Sequence, residues 1–314
     1  GTMMINLMHV NDYIIDTSQF RPLLNDKIVE KFEKEVASFV GAKYACSIHS
    51  ATMAIFMSLL EKEKTIIEIP SIIPPVVPNA ILTAGHKVKY KDEVDWVGHS
   101  YILHQFEDYK IIDSAQQLDE NHFANCANDE DLMIFSFYPT KPVGSIDGGM
   151  IVSNDEEKIK RLKTLSRYGT SFEDNSWERK FVVPGWKMYM NSVQAYVALQ
   201  NFAKLENKMK RFDEIRKIYN DEFGLSNTSR HLYRLRVDNR DNFIEKMKKN
   251  GVQCGIHYKA VHKIDCYKPH ISSNLKRSDM ESKTTVSIPY HEMLTDEQVE
   301  TVIKEVKNVS SKWK

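Results

Sequence analysis

Short apolar segments alternate with helical segments along the first two thirds of the chain, and this alternation constrains the fold more than any other feature. The pattern predicts an amphipathic helix over 28–40, capped by Asn25 or Asp26 and ended by Gly41. It also predicts strands 43–48, 109–112, 132–138 and 150–153, and helices 53–60, 79–84 and 155–168. Four prolines within 66–78 allow at most a strand followed by an extended loop there. Strands that alternate with helices favour an α/β fold with a mainly parallel sheet.

The last third of the chain predicts a second, smaller α/β unit. A long helix over 191–223 is expected to join the two units rigidly. Beyond it the pattern predicts strands 231–237, 252–258 and 285–289 and a helix over 240–250. Thr295 and Gln298 form a capping-box pattern that starts a final helix. We therefore divide the chain into a large unit, residues 4–205, and a small C-terminal unit, residues 206–314.

Charge and cysteine content exclude several classes of partner. The 314 residues include 43 Lys and Arg against 43 Asp and Glu, so no net positive field attracts a nucleic acid or an anionic membrane. No apolar stretch is long enough to span a bilayer as a helix. The four cysteines form no CxxC pair, and no secretory leader follows residues 1–3, which resemble a cloning remnant. We expect reduced thiols and a cytoplasmic protein.

A lysine and an aspartate that follow neighbouring strands are the first candidates for chemistry. Lys141 follows an apolar, aromatic strand, where desolvation lowers the pKa of an amine and favours attack on a carbonyl. Asp113 closes the preceding strand, and parallel neighbours would bring both side chains to the rim where α/β folds bind ligands. A carboxylate there can keep the pyridine nitrogen of pyridoxal 5'-phosphate protonated. The simpler roles are those of a lysine that extends to solvent and a helix-capping aspartate.

Four further residues can complete a cofactor site. Gln116 can bond the cofactor's ring oxygen, or it is an ordinary surface amide. Ala51 and Thr52 lie where a strand leads into a helix, so their N–H groups and the Thr52 hydroxyl can bind a phosphate. Ordinary helix capping is the commoner role of such residues. Ser136 can supply another hydroxyl to the phosphate.

Several blocks occur in an order typical of one enzyme family. They are FEKEVA at 32–37 with VGAKYA at 40–45, SAT at 50–52, DSAQ at 113–116, SFYPTK at 136–141 with GG at 148–149, MNSVQA at 190–195, and GIHY at 255–258 with His262. Together they resemble the sugar aminotransferases of the DegT/StrS type, which are fold-type I pyridoxal-phosphate enzymes. The resemblance covers nearly the whole chain. It implies a three-layer α/β large domain, a smaller C-terminal α/β domain, and a homodimer with shared active sites.

The resemblance also implies a reaction and a role for each site residue. Lys141 forms the internal aldimine and then serves as general acid and base in both half-reactions. An amino acid, usually glutamate in this family, loads the cofactor, which then aminates a nucleotide-linked keto-sugar. Cofactor contacts are expected from Ala51, Thr52, Asp113, Gln116, Ser136 and Lys187, and substrate contacts from Tyr189, His257, Tyr258 and His262.

Three departures from the family pattern keep another function open. Pro74 occupies the position where the family commonly places an aromatic residue over the cofactor ring. Lys187 and Tyr189 replace an Asn that reaches the neighbouring subunit's phosphate and an Arg. The stretch between Asp92 and Asp113 is too short for the usual crossover helix. The competing hypothesis is a trimmed homologue with a regulatory or scaffolding role and little or no turnover.

Dehydration of a sugar and metal binding are both less favoured by the sequence. Sugar dehydratases of the same superfamily carry histidine at the position of Lys141, which argues against that activity. His257, His262 and Cys266 have spacings that metal ligands also show, but we assign the histidines to the substrate and predict no metal.

Overall fold

A five-stranded mixed sheet carries the elements around the candidate site. The computed structural model describes residues 3–21, 27–171 and 179–314, so the predicted cap at Asn25 or Asp26 lies outside the described residues. The described strands are β1 Tyr44–Ile48, β2 Ile66–Pro70, β3 Lys87–Lys91, β4 Tyr101–Gln105, β5 Lys110–Asp113, β6 Leu132–Ser136, β7 Gly149–Ser153, β8 Tyr233–Arg236 and β9 Thr285–Ile288. The described α-helices are α1 Lys27–Val40, α2 Ala51–Leu60, α3 Val76–Thr83, α4 His122–Cys126, α5 Glu156–Ser166, α6 Ser192–Phe202, α7 Leu205–Phe223, α8 Arg240–Lys249, α9 Lys276–Thr284 and α10 Asp296–Val309.

Side-chain alternation along the central strands builds three layers. Met133 and Phe135 of β6 belong to a hydrophobic cluster with α1 and α6, whereas Ile134 between them belongs to a cluster with α2 and α5. Successive residues of a strand point to opposite faces, so each face buries its own set of helices. The predicted three-layer α/β class is confirmed.

The sheet is mixed, and the expectation of a mainly parallel sheet was wrong. The strand order is β1-β7-β6-β5-β4, and only β5 and β6 pair in parallel; the other three pairings are antiparallel. β2 and β3 form a separate parallel pair, and β2 lies beside β4. Residues 106–109 are the whole connection between β4 and β5, which suffices for a hairpin but not for a crossover helix.

The small unit packs helices on a two-stranded antiparallel pair. β8 pairs with β9, and α8 and α10 pack nearby through residues such as Phe243 and Val302. This cluster also contains residues of α1 and β6, so one hydrophobic core extends across the proposed domain boundary between residues 205 and 206. The boundary itself stays a prediction. None of the described helices is both long and apolar enough to cross a membrane.

Two predicted elements of this region differ in the structure. The helix expected over 191–223 is two helices, because the chain turns at Ala203 and Lys204 between α6 and α7. The strand expected over 252–258 is absent: Val252 bridges Ile5, Gly255 bridges Ser287, and no continuous ladder forms between these two bridges. The final helix begins after a complete capping box at Thr295, as predicted.

Candidate active site

A cavity of about 410 Å³ lies at the ends of β5 and β6 beside the start of α2. It brings together most of the residues that the sequence patterns assigned to the cofactor. Its lining includes Ala51, Thr52, Asp113, Gln116, Ser136, Lys141 and, from the small unit, Tyr258. These residues come from segments far apart in sequence, so the fold rather than local sequence creates their proximity.

The parallel pairing of β5 and β6 explains why Asp113 and Lys141 face one cavity. Asp113 is the last residue of β5 and Ser136 the last of β6, so both strands end at one edge. Lys141 follows in a turn closed by its own N–H, which donates to the carbonyl of Tyr138 at 2.9 Å. Lys208 of α7 donates to the carbonyl oxygens of Lys141, at 3.3 Å, and Pro142, at 3.0 Å. The backbone that carries the Lys141 side chain is therefore held from two sides.

The amine of Lys141 is suited to nucleophilic chemistry. Burial lowers the pKa of Lys141 to about 8, although the nearby charge of Asp113 partly opposes this shift. Within the described ranges no side chain forms a hydrogen bond or ion pair with its Nζ. An amine with a lowered pKa and no partner has a larger neutral, reactive fraction than an exposed lysine.

Asp113 is buried and held in a fixed orientation. Its Oδ2 accepts a hydrogen bond from the Tyr101 hydroxyl at 2.6 Å, and its Oδ1 accepts one from the Ala115 N–H at 3.0 Å. Burial raises the pKa of Asp113, whereas these two bonds and the charge of Lys141 act in the opposite direction. The carboxylate is therefore the natural partner of a cationic group in the cavity.

Gln116 joins the large unit to the small one. Its Oε1 accepts a hydrogen bond from the Gly98 N–H at 2.7 Å, and its Nε2 donates to the Tyr258 hydroxyl at 2.8 Å. A primary amide has two N–H groups, so one donor remains for a ligand. The side chain fixes the wall of the cavity whether or not a ligand is bound.

The start of α2 forms the anion-binding end of the cavity. Ser50 caps the helix by accepting from the Met53 N–H at 3.2 Å, and the Ala51 and Thr52 amides belong to the first turn, where helical geometry provides no acceptor. Gly149 allows this arrangement, because an added Cβ would lie 2.6 Å from the Ala51 nitrogen. The Ser136 hydroxyl accepts from the Tyr138 N–H at 3.2 Å and retains its own proton for donation.

Lys187, Tyr189 and His262, which the family resemblance also assigned to the site, lie apart from this lining. Lys187 is exposed, and Tyr189 bridges Ile48 at the end of β1. His262 bonds Ser71, with 2.5 Å between Nδ1 and Oγ, and Asp279, with 3.0 Å between Nε2 and Oδ1, so it ties two loops together.

His257 of the small unit is partly buried and does not line the cavity. Its Nδ1 lies 2.7 Å from the Ser287 hydroxyl, and burial, with the charges of Lys141 and Arg234, lowers its pKa to about 4. The described residues contain no group of three or more histidine, cysteine or carboxylate side chains that could hold a metal ion. With its pKa lowered to about 4, His257 is a neutral imidazole near pH 7 and lies close enough to Lys141 to sense its charge.

Several residues of the cavity wall could not be found from the sequence patterns. Trp96, His99, Tyr138 and Asp147 all line the cavity. Trp96 and His99 come from the shortened stretch after β3. The only feature of the sequence that could have indicated them is the presence of an aromatic and an imidazole side chain in that stretch. Burial and the charge of Arg234 lower the pKa of His99.

The chain is similar to known aminotransferases along almost its entire length. A sequence model of the DegT/DnrJ/EryC1/StrS aminotransferase family matches residues 10–90 and 110–307. A UDP-4-amino-4,6-dideoxy-N-acetyl-beta-L-altrosamine transaminase of Campylobacter jejuni is 26% identical over 351 residues, covering 92% of this chain and 93% of that protein. A spore coat polysaccharide biosynthesis protein of Bacillus subtilis, SpsC, is 27% identical over 354 residues, covering 90% of this chain and 89% of that protein.

Solved structures share the fold. The PLP form of a putative sugar aminotransferase from Streptococcus pneumoniae superimposes with a TM-score of 0.80 at 17% identity, covering 98% of this chain and 99% of that chain. The stretch that the family model leaves unmatched, residues 91–109, contains the shortened segment and the start of the β4–β5 hairpin.

Proposed function

The chain belongs to the DegT/DnrJ/EryC1/StrS aminotransferase family, and on this premise we propose that it is a pyridoxal 5'-phosphate-dependent sugar aminotransferase. The observation that carries the proposal is the amine of Lys141, whose pKa desolvation lowers to about 8, in one cavity with Asp113 and the start of α2. An amine, an acid and an anion site are the three groups that this cofactor requires.

The donor set fits the cofactor at each of its polar groups. The Ala51 and Thr52 amides and the Ser136 hydroxyl suit the phosphate, Asp113 suits the ring nitrogen, and Lys141 Nζ suits covalent attachment. The bound cofactor supplies an electron sink for amino transfer. Lys141 then holds and moves the proton at the reacting carbon, and Gln116 orients the ring oxygen.

We assign the substrates as an amino-acid donor, glutamate, and a nucleotide-linked keto-sugar. The C. jejuni relative is named as a transaminase of a UDP-linked amino sugar, which supports a nucleotide-linked acceptor. Tyr258 lines the cavity and is available to a substrate there. In this assignment Tyr189, His257 and His262 shape the substrate side, with His257 remaining neutral near pH 7 because its pKa is about 4.

We further assign a homodimer in which each site uses both subunits. Lys187 is exposed in a segment that also exposes apolar side chains: Phe181 is 74% exposed and Trp186 37%. A second copy covering this segment would bury the apolar surface and bring Lys187 to the phosphate of the other site. Sedimentation of a monomer only, at micromolar concentration, would contradict this assignment. We also propose that the protein is cytoplasmic and that its large and small domains meet between residues 205 and 206.

Cofactor binding tests the proposal against the regulatory hypothesis, which the unmatched stretch 91–109 and Pro74 favour. The purified protein, incubated with pyridoxal 5'-phosphate, should develop a visible absorption band. Borohydride should remove the band and fix the cofactor's mass on the peptide that contains Lys141. Lys141→Ala should lack both signals, whereas Lys160→Ala, on the exposed face of α5, should keep them.

Amino transfer is tested in the same preparation. Glutamate should shift the band of the wild-type protein, and a panel of UDP-linked keto-sugars should restore it with formation of an amino sugar. A protein that stays colourless with added cofactor contradicts the enzyme assignment. If the protein is coloured but never accepts an amino group from glutamate, only the assignment of glutamate as the donor is contradicted.

A further inference from the structure

The stretch that departs from the family also builds part of the cavity wall. The family model leaves residues 91–109 unmatched, yet Trp96 and His99 from this stretch line the cavity together with Pro74. Pro74 has no aromatic ring, so the position where the family commonly has one cannot stack on a cofactor. The chain instead places an indole, that of Trp96, in the wall of the same cavity.

Trp96 is anchored by one hydrogen bond and one ring contact, both to residues close to other parts of the cavity wall. Its Nε1 donates to the carbonyl of Ile72 at 2.8 Å, two residues before Pro74. Its ring packs on Tyr101 with 4.5 Å between centroids, and the Tyr101 hydroxyl donates to Asp113. The side chain is 5% exposed, so little freedom remains to be lost when a ligand binds.

We propose that Trp96 supplies the aromatic wall for the cofactor ring in place of Pro74, an inference that rests on the proposed function. An indole face is the most electron-rich among aromatic side chains and would attract an electron-poor ring whose nitrogen Asp113 would keep protonated. His99 is the competing candidate. Its Nε2 lies 3.2 Å from the Thr228 hydroxyl of the small unit, which directs its polar edge away from the large unit.

Cofactor affinity and tryptophan fluorescence test Trp96 without measuring turnover. Pyridoxal 5'-phosphate is titrated into apo protein, with Kd taken from the visible band and emission recorded in parallel. We expect Trp96→Leu to raise Kd about tenfold and Trp96→Phe, which keeps a ring, to raise it less than about threefold. Trp96→Phe should also lose most of the emission change on binding. Trp313→Phe is the matched control, since Trp313 bonds the Phe223 carbonyl in the small unit, and it should keep both signals.

Each result decides between Trp96, His99 and the proposed function itself. Wild-type Kd in Trp96→Leu overturns the inference, and a large loss in His99→Ala alone assigns the wall to His99. If Trp96→Leu does not fold, an unchanged emission response in Trp96→Phe overturns the inference instead. No cofactor binding by the wild-type protein would contradict the proposed function, which is a separate failure.

Discussion

Replacing Asp113 by Asn should make the amine of Lys141 more reactive in the cofactor-free protein. Burial is the main cause that lowers the pKa of Lys141, and the negative charge of Asp113 opposes it and keeps the shift from being larger. Asn has the same shape, and its oxygen can accept from the Ala115 N–H while its NH2 group donates to the Tyr101 hydroxyl oxygen. The substitution therefore removes the charge and leaves the burial, so the pKa should fall below 8.

The wild-type pKa sets the size of the effect. With a pKa of about 8, roughly one Lys141 amine in eleven is neutral at pH 7, against about one in 3,000 at the ordinary value of 10.5. The neutral fraction of this amine, which is the form that reacts with an acylating reagent, is thus about 300-fold larger at pH 7 than that of an unperturbed lysine. Asp113→Asn should increase the rate at pH 7 further, up to the limit at which every amine is neutral.

Competitive labelling of apo protein across pH 6 to 11 measures this directly. The peptide containing Lys141 is quantified by mass spectrometry, with the peptide of exposed Lys160 as internal reference. The midpoint for Lys141 should lie near 8 in the wild type and lower in Asp113→Asn. A wild-type midpoint near 10.5, or a midpoint that rises in the variant, would falsify the electrostatic account of the site. The variant should at the same time bind pyridoxal 5'-phosphate more weakly, because the ring nitrogen loses its anionic partner.

Three further changes test the framework around the cavity. Lys141→Met should raise the free energy of unfolding of the apo protein at pH 7 by up to about 3 kcal/mol, measured by urea unfolding. The pKa of Lys141 is lower in the folded state than in the unfolded state, so the stability of the wild type rises between pH 8 and 10.5. The advantage of the variant should therefore vanish above pH 10.5. Gly149→Ala should cost about 2 kcal/mol or more and weaken cofactor binding, since its Cβ would meet the Ala51 nitrogen; normal Kd and stability would contradict the contact. Thr295→Ala should cost about 1 kcal/mol without changing cofactor Kd, because it removes only the cap of α10, and a Kd change would show unexpected coupling.

Local patterns predicted the elements that local physics determines. β6, β7 and α5 lie close to their predicted positions, and Thr295 forms the expected cap. The rim shared by Asp113 and Lys141 was predictable because Asp113 ends one apolar strand, Lys141 follows the end of another, and β5 and β6 are parallel.

The differences arise where tertiary contacts decide. Nothing in Ala203 or Lys204 disfavours a helix, yet the chain turns there, and nearby Asn201 donates to the Gly144 carbonyl at 2.5 Å. Likewise Trp96 carries no local sign that it faces a cavity, since its position depends on the Ile72 carbonyl and on Tyr101. Such residues could not be assigned before the pairing of distant segments was known.

The β4–β5 hairpin has a consequence for the order in which the protein assembles. Two strands joined by a crossover helix can pair only after that helix has docked. β4 and β5 are joined by the short loop 106–109 alone, so they can pair without it. Hairpins close within microseconds, so the amides of this pair should be among the earliest in the sheet to resist pulse-labelling hydrogen exchange during refolding. Tyr101 and Asp113, which face each other across the pair, would then meet before the segment bearing Lys141 arrives. Because of the short connection, the acidic side of the cavity would thereby form before the side that carries Lys141.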